Sequence, residues 1–392
     1  MSESGAATVT ASGPHANPTV CNQSVGNATS VSAYRLSTGE CIIEFRNVGT
    51  TTWTVPNNAT SVRFLIVGGG AAGYPDSGGG GGGGGALTKS SHPVTSGTVF
   101  GVTVGAGGSG NNGSGVTINP GVASTLDQSN DGSIEWSASG GSVGTGWSVG
   151  QEGGYGGAPS ATNGATALTG GRGGQGPNST GVKLAGTTDG STGYSSDITG
   201  RTLFYGGGGG GGINGSGDTT AFSATPRAGG KGGGGAGAGA GTRGSTYTFT
   251  YDAGDTTTVF TQTRTYICET NLISTGASVG FDGLNGFGGG GGGGVAFGDV
   301  CGNDSDSTYP AYNDGERTAG GSGGSGIVIL NYVPDTTAPT YSSSAVASTG
   351  TSLTLTYNET LSSTTAAASR FTVSRSFTGL GSETITVSSV TA

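Results

Sequence analysis

The side chains in this sequence whose type and spacing could support chemistry are two histidines, a cluster of carboxylates, a set of aromatics and four cysteines. His15 and His92 stand alone, so neither an HExxH zinc site nor a histidine cluster can be built. The pattern G-x-S-x-G occurs at Gly140–Gly144, Gly146–Gly150 and Gly320–Gly324. An α/β-hydrolase elbow also needs a histidine later in the chain, and none follows these serines. Lys231, in GGKGG, is followed by glycine where a phosphate-binding loop needs Ser or Thr for magnesium. No enzyme is expected, and neither nucleotide binding nor a resident cofactor.

Asp304, Asp306, Asp314 and Glu316 crowd one stretch beside Asn303. They offer hard oxygen ligands of the kind calcium takes, although no D-x-[DN]-x-[DN]-G frame is present and a solvated acidic loop reads equally well. Calcium is the one metal the sequence suggests. Aromatics set among polar residues are the best candidates for touching a glycan or protein partner: Trp147, Tyr155, Tyr247, Tyr251, Tyr309 and Tyr312, with Trp136 and Tyr194 beside them. The alternative for each is packing between glycine segments. Cys21 with Cys41 and Cys268 with Cys301 match no metal or redox spacing. They read as two disulfides that close local loops; the other reading is four buried thiols.

The chain that must position these groups has 392 residues, of which 89 are glycine; hydrophobic residues make up 31% and charged residues 9%. Soluble domains carry about 45–50% and about 25% respectively, so an ordinary α/β enzyme is disfavoured. Glycine lacks a strict G-X-Y period and only 12 prolines are present, which excludes collagen. The net charge of −9, with 14 scattered basic residues, leaves no stripe for phosphates, so no nucleic-acid partner is expected. No apolar run is long enough to span a bilayer, and residues 1–20 lack the basic and apolar regions of a Sec signal, which leaves export by a remote signal open.

Period-2 patterns place strands at residues 41–48, half-buried with Cys41, Ile43 and Phe45 on one face, and at 51–55, 61–67 and 98–104. GIVILNY at 326–332 is apolar on both faces, so it needs partners on both sides, and the early strands are the natural ones. The expected fold class is all-β: a β-sandwich, residues 40–333, carrying a long glycine-rich insertion at about 68–325. Residues 1–39 form an N-terminal segment with a disulfide, and 334–392 a small second β module with Leu353, Leu355 and Tyr357 alternating. Residues 246–251 and 256–267 read as a Thr-rich hairpin.

Within the insertion lie the pure runs Gly78–Gly85, Gly206–Gly212 and Gly288–Gly294, with GGGGAGAGAG at 232–241. Apolar residues flank them: Ala86 and Leu87; Leu203, Phe204 and Tyr205; Phe287. Such anchors favour folded runs over a flexible linker. The expected form is a bundle of extended polyproline-II-type polyglycine helices with three residues per turn. These lack internal hydrogen bonds, so backbones must pair with neighbours that approach where no side chain stands.

The segments FRNVGTTTWTVPNNATSVRFLIVGGGAAG, the octaglycine, VTVGAGGSG and GGSGGSGIVILNY resemble the glycine-rich domain of bacterial and phage surface proteins, over about residues 40–333. The stretch PDTTAPTYSSSAVASTGTSLTLTYNET looks like the Ig-like repeats of large bacterial surface proteins. The resemblance implies an extracellular, cell-surface adhesin or structural display module, partnered by a surface glycan or protein receptor or by copies of itself, without membrane insertion. A phage tail-fibre adhesin is the alternative in the same class, and an ice-binding protein the alternative from another. The Thr-rich hairpin and the Cys268 and Cys301 pair depart from the pattern.

Overall fold

The computed structural model describes residues 21, 31–56, 59–75, 78–110, 118–144, 152–176, 188–212, 227–237, 246–254, 260–265, 280–294, 319–335, 340–349, 351–358, 367–377 and 381–391. The fold is all-β, built of several antiparallel sheets. The chain divides into two compact units, Met1–Pro334 and Asp335–Ala392.

In the first unit the strands are β1 (Val31–Arg35), β2 (Cys41–Phe45), β3 (Gly49–Thr54), β4 (Ser61–Val67), β5 (Ala86–Pro93), β6 (Val99–Val104) and β7 (Ser124–Gln128). They continue with β8 (Trp136–Ala138), β9 (Thr166–Leu168), β10 (Tyr194–Ser196), β11 (Leu203–Tyr205), β12 (Thr246–Tyr251), β13 (Phe260–Thr265) and β14 (Ile327–Tyr332). A six-stranded sheet runs β1-β2-β14-β4-β5-β9 and a four-stranded sheet β3-β6-β7-β8. As the two-sided apolar pattern of residues 327–332 requires, β14 sits between β2 and β4, with Leu330 opposite both Ile43 and Phe64.

One apolar core lies between these sheets. Ile43, Phe45, Phe64, Ile66 and Leu330 come from the six-stranded side, and Trp53, Phe100, Leu126 and Trp136 from the other. Trp53 packs 5.5 Å from Phe100, and Phe64 4.9 Å from Trp136. Cys21 is bonded to Cys41 at the buried start of β2, with Cα atoms 5.7 Å apart. Cys268 and Cys301 lie outside the described residues.

β2 is not half-buried as its alternation suggests: all five residues are buried, Glu44 to 6% exposure. The reason is a second cluster on the opposite face of the six-stranded sheet, where Ile42, Leu65, Val67, Ile327 and Ile329 meet Ile198, Leu203, Tyr205, Leu284 and Phe287 of the glycine-rich region. A period-2 pattern reports the composition of each face but not what a distant segment lays over it. Glu44 is held there by Arg46 (Nη2 to Oε2, 2.8 Å) and by the Tyr34 hydroxyl, which donates to Oε1 at 2.9 Å. Burial, with Glu44 beside it, pushes the Tyr34 hydroxyl far above the usual range, so it stays a donor.

The three oligoglycine runs contain no strand, and every residue in them is buried. Their backbone bonds repeat every three residues. In the first run, Gly80 and Gly83 donate to Gly174 and Gly171, Gly81 and Gly84 to Gly291 and Gly288, and Gly82 and Gly85 to Ser142 and Ser139, all at 2.8–3.0 Å. Its carbonyls accept from segments 68–74, 154–157 and 209–212, which gives six bonded neighbours around one run. The runs also bond to one another in a ring: Gly81 donates to Gly291, Gly290 to Gly207, and Gly209 back to Gly81. A Cβ at Gly80, Gly81, Gly83 or Gly84 would fall well inside contact with a neighbouring carbonyl oxygen. The second and third runs are entered alike: buried Tyr205 and Phe287, stacked at 5.4 Å, each precede a left-handed glycine, Gly206 (φ 68°) and Gly288 (φ 67°).

The second unit has two separate two-stranded sheets, β15 (Tyr341–Val346) with β16 (Leu353–Tyr357) and β17 (Val373–Phe377) with β18 (Gly381–Ile385). The alternation at Leu353, Leu355 and Tyr357 is present in β16, but Leu353 is 44% exposed and Leu355 38%. No helix among the described residues is long and apolar enough to cross a membrane.

Candidate functional site

The three-residue repeat decides which side chains leave the glycine region. In segment 152–157, Gly154 and Gly157 donate to Gly80 and Gly83, and a Cβ at Gly153 or Gly156 would strike the carbonyls of Gly173 or Gly170. The third position of each turn therefore points away, and it is occupied by Glu152 and Tyr155. In the neighbouring segment, Gly170 and Gly173 bond to Gly157 and Gly154, while Gly171 and Gly174 bond to the second run. This leaves Arg172 to project beside Tyr155.

The result is a compact surface platform. Tyr155 is 60% exposed, and the Arg172 guanidinium carbon lies 4.5 Å from its ring centre. Arg172 Nη2 meets Glu152 Oε2 at 3.1 Å, and the Tyr155 hydroxyl reaches the same oxygen at 3.5 Å. The main chain beneath is fixed by Ser142, whose Oγ accepts from Tyr155 N–H at 2.9 Å and donates to its carbonyl at 3.0 Å. An aromatic ring stacked by a guanidinium and bordered by a carboxylate can hold a sugar ring or a polar peptide by its face and by directed hydrogen bonds.

Tyr251 takes a different position. It is 6% exposed, with its hydroxyl 2.6 Å from the carbonyl of Asp282 and 2.9 Å from Gln262 Oε1. Gln262 Nε2 in turn donates to Asp282 Oδ2 at 2.9 Å. Tyr251 thus anchors the β12–β13 hairpin to the glycine region, and its face of the hairpin also carries Phe249 and Phe260, packed on Phe281 and Phe287. The opposite face is threonine: the register sets Thr246 against Thr265, Thr248 against Thr263 and Thr250 against Thr261. Thr248, Thr250, Thr261 and Thr263 are exposed, and the Oγ atoms of Thr248 and Thr263 are 2.9 Å apart.

Tyr247 lies opposite Arg264 in this hairpin. Trp147, Tyr309 and Tyr312 lie outside the described residues, as do the calcium candidates Asp304, Asp306, Asp314 and Glu316. Trp136 is core, and Tyr194 stacks on Tyr205 at 6.3 Å with its hydroxyl buried. Lys231 is paired with Asp252 at 3.3 Å. The serine Oγ at the centre of two G-x-S-x-G matches serves the backbone, Ser142 as described and Ser322 by accepting from Gly110 at 3.1 Å. Glu152 and Arg172 were not singled out from the sequence, yet their signal is there: EGGYGG and GGRGGQ set a side chain at every third position.

A family model described as a glycine-rich domain matches residues 46–333. The chain belongs to this glycine-rich domain family. No curated protein matches it. The matched span begins at Arg46 and ends just after β14, so it takes in all three oligoglycine runs, the Tyr155 platform and the threonine hairpin of the glycine-rich domain.

Proposed function

We propose that the glycine-rich domain is a non-enzymatic display module of an extracellular surface protein, acting as an adhesin or structural element. In this reading its two facing sheets are a β-sandwich, the oligoglycine runs are polyproline-II-type helices packed side by side, and the second unit is part of an Ig-like spacer. The observation that carries it is the three-residue bond repeat joining all three runs. The oligoglycine runs themselves carry no side chains with which to do chemistry, so contacts with a partner fall to the ridges that border them. Tyr155, Glu152 and Arg172 form such a ridge, suited to a surface glycan or protein receptor.

The test is attachment of particles coated with the full chain to candidate cells, comparing wild type with Tyr155→Ala and with a chain lacking the threonine face (Thr248→Lys with Thr261→Lys). Attachment lost in either variant with unchanged melting supports display. Attachment indifferent to both variants overturns it. A bacterial cell surface is the proposed location, and a phage tail the alternative; neighbouring tail genes would favour the latter.

A second reading, ice binding, draws on the paired threonine columns of β12 and β13. Repeating hydroxyl and methyl groups on a fixed backbone spacing can hold an ordered water layer. Absence of thermal hysteresis in the purified chain removes it.

A further inference from the structure

A recess whose chemistry differs from that of the Tyr155 platform opens on the face of the six-stranded sheet that the glycine region covers. Its floor is Arg63 of β4, Thr88 of β5 and Leu168 of β9, which are three adjacent strands. Its wall is Ser195, Ser196, Asp197 and Thr202, from β10 and the loop that leads to β11. The volume is about 310 Å³, at the lower end of the range for small-molecule sites.

Both sides of the cleft are held in place. The wall loop plugs the fully buried Ile198 into the second apolar cluster, and Asn331 of β14 donates its Nδ2–H to the Ile198 carbonyl at 3.1 Å. On the floor, β5 is bulged where it faces Arg63: Val62 pairs with His92 and Phe64 with Lys89, so Ser90 and Ser91 together oppose the single residue Arg63. Bulges of this kind re-aim side chains and concentrate beside functional sites. Arg63 reaches across the cleft to form an ion pair with Asp197. That contact holds the Asp197 carboxyl below the usual carboxylate range, so it remains an acceptor.

From this geometry we infer that the cleft is a binding site for one neutral sugar ring or an equivalent uncharged polyol. The paired charges settle the sign of the ligand. An anion drawn to Arg63 meets Asp197 at the same point, and a cation drawn to Asp197 meets Arg63. A hydroxyl-rich neutral ligand meets neither penalty, because each hydroxyl both donates and accepts. Vicinal hydroxyls match the two oxygens of a carboxylate and the parallel N–H groups of a guanidinium. Ser195 and Thr202 supply further hydroxyls, Thr88 Oγ1, which donates to the Phe64 carbonyl at 3.2 Å, can still accept, and Leu168 offers an apolar patch for the C–H face of a ring.

The site is separate from the Tyr155 platform and does not depend on the display reading. The test is titration of the full chain, disulfide intact, with methyl glycosides of neutral hexoses, with glucuronate and with glucosamine, read by saturation-transfer NMR and calorimetry. Neutral glycosides are expected to bind saturably and the charged sugars more weakly. Asp197→Asn, at an exposed position, is expected to weaken the neutral glycosides about ten- to a hundredfold, as loss of a charged hydrogen bond does, and to raise glucuronate binding by releasing Arg63. Thr202→Val, also exposed, is expected to weaken neutral binding without that switch. The inference is overturned if no neutral glycoside binds saturably, if a charged sugar binds the wild type more tightly, or if both variants bind as the wild type does.

Discussion

Gly81 donates its N–H to the carbonyl oxygen of Gly291 at 2.8 Å, joining the first oligoglycine run to the third across more than half the chain. The carbonyl of Gly81 accepts from Gly209 of the second run, so one residue ties all three together. Its Cα faces the Ala71 carbonyl with no room for a methyl group.

Gly81→Ala is therefore expected to destabilise the glycine-rich unit by about 1–3 kcal/mol, the usual cost of overpacking a close-packed interior. Gly97→Asn is the comparison: nothing stands within 4 Å of a Cβ there, so only the strain of its φ of 82° remains, which Asn bears better than most residues. That change is expected to cost less than Gly81→Ala, about 1 kcal/mol or below. Denaturant midpoints of the two variants check the contrast.

Amide exchange gives a measure of order in the runs themselves. Gly80 to Gly85 donate to neighbouring segments and are buried, so their amides are expected to exchange as slowly as those of β14. Exchange at the rate of an unstructured peptide would dissolve the bonded network. Mass spectrometry of peptides spanning the runs reads this directly.

The Glu44–Arg46 pair sits between the six-stranded sheet and the glycine layer, with Glu44 side chain 8% and Arg46 26% exposed. Glu44→Ala removes the partner of a guanidinium whose Nη1 already lies buried without an acceptor among the described residues. Breaking such a pair on one side costs about 3 kcal/mol or more. Glu44→Ala with Arg46→Leu, tested together, is expected to recover most of the loss. Thermal melts of the wild type and the two variants show whether it does.

His92 packs edge-on against Trp136 at 4.9 Å, with Lys89 also over that ring. Burial first, then Lys89, lowers its pKa below the ordinary 6.5. A depressed folded value means the neutral ring is favoured by folding. The associated stability is complete above the ordinary value and is lost as pH falls below it and through the folded value. His92→Gln is therefore expected to flatten the stability profile between about pH 7 and pH 5 relative to wild type; identical slopes in urea melts would show that the ring does not titrate in this way.

Much of the strand framework can be read from the residues. The two-sided apolar run at 327–332 demanded early partners, and it has them in β2 and β4. The Thr-rich hairpin is also present, with β13 described from Phe260 to Thr265. What alternation could not convey was cover. Ile42 and Glu44 belong to an outward face by pattern, and they become interior because Tyr205 and Phe287 are brought over them from far along the chain. Tyr251 reads as an exposed aromatic among threonines for the same reason in reverse, since its side of the hairpin is the docked one. The Glu152, Tyr155 and Arg172 ridge was legible in principle, through a period of three rather than two or 3.6.

That period has a bearing on how such a chain can change in length. Adding or removing a single glycine within a run would turn every later amide by a third of a revolution, away from its acceptor and toward the wrong neighbour. Three at once would slide the remainder by a full turn and restore each donor to the same side. Tract sizes should thus drift in triplets of residues, and a one-residue slip should be as harmful as a frameshift in register.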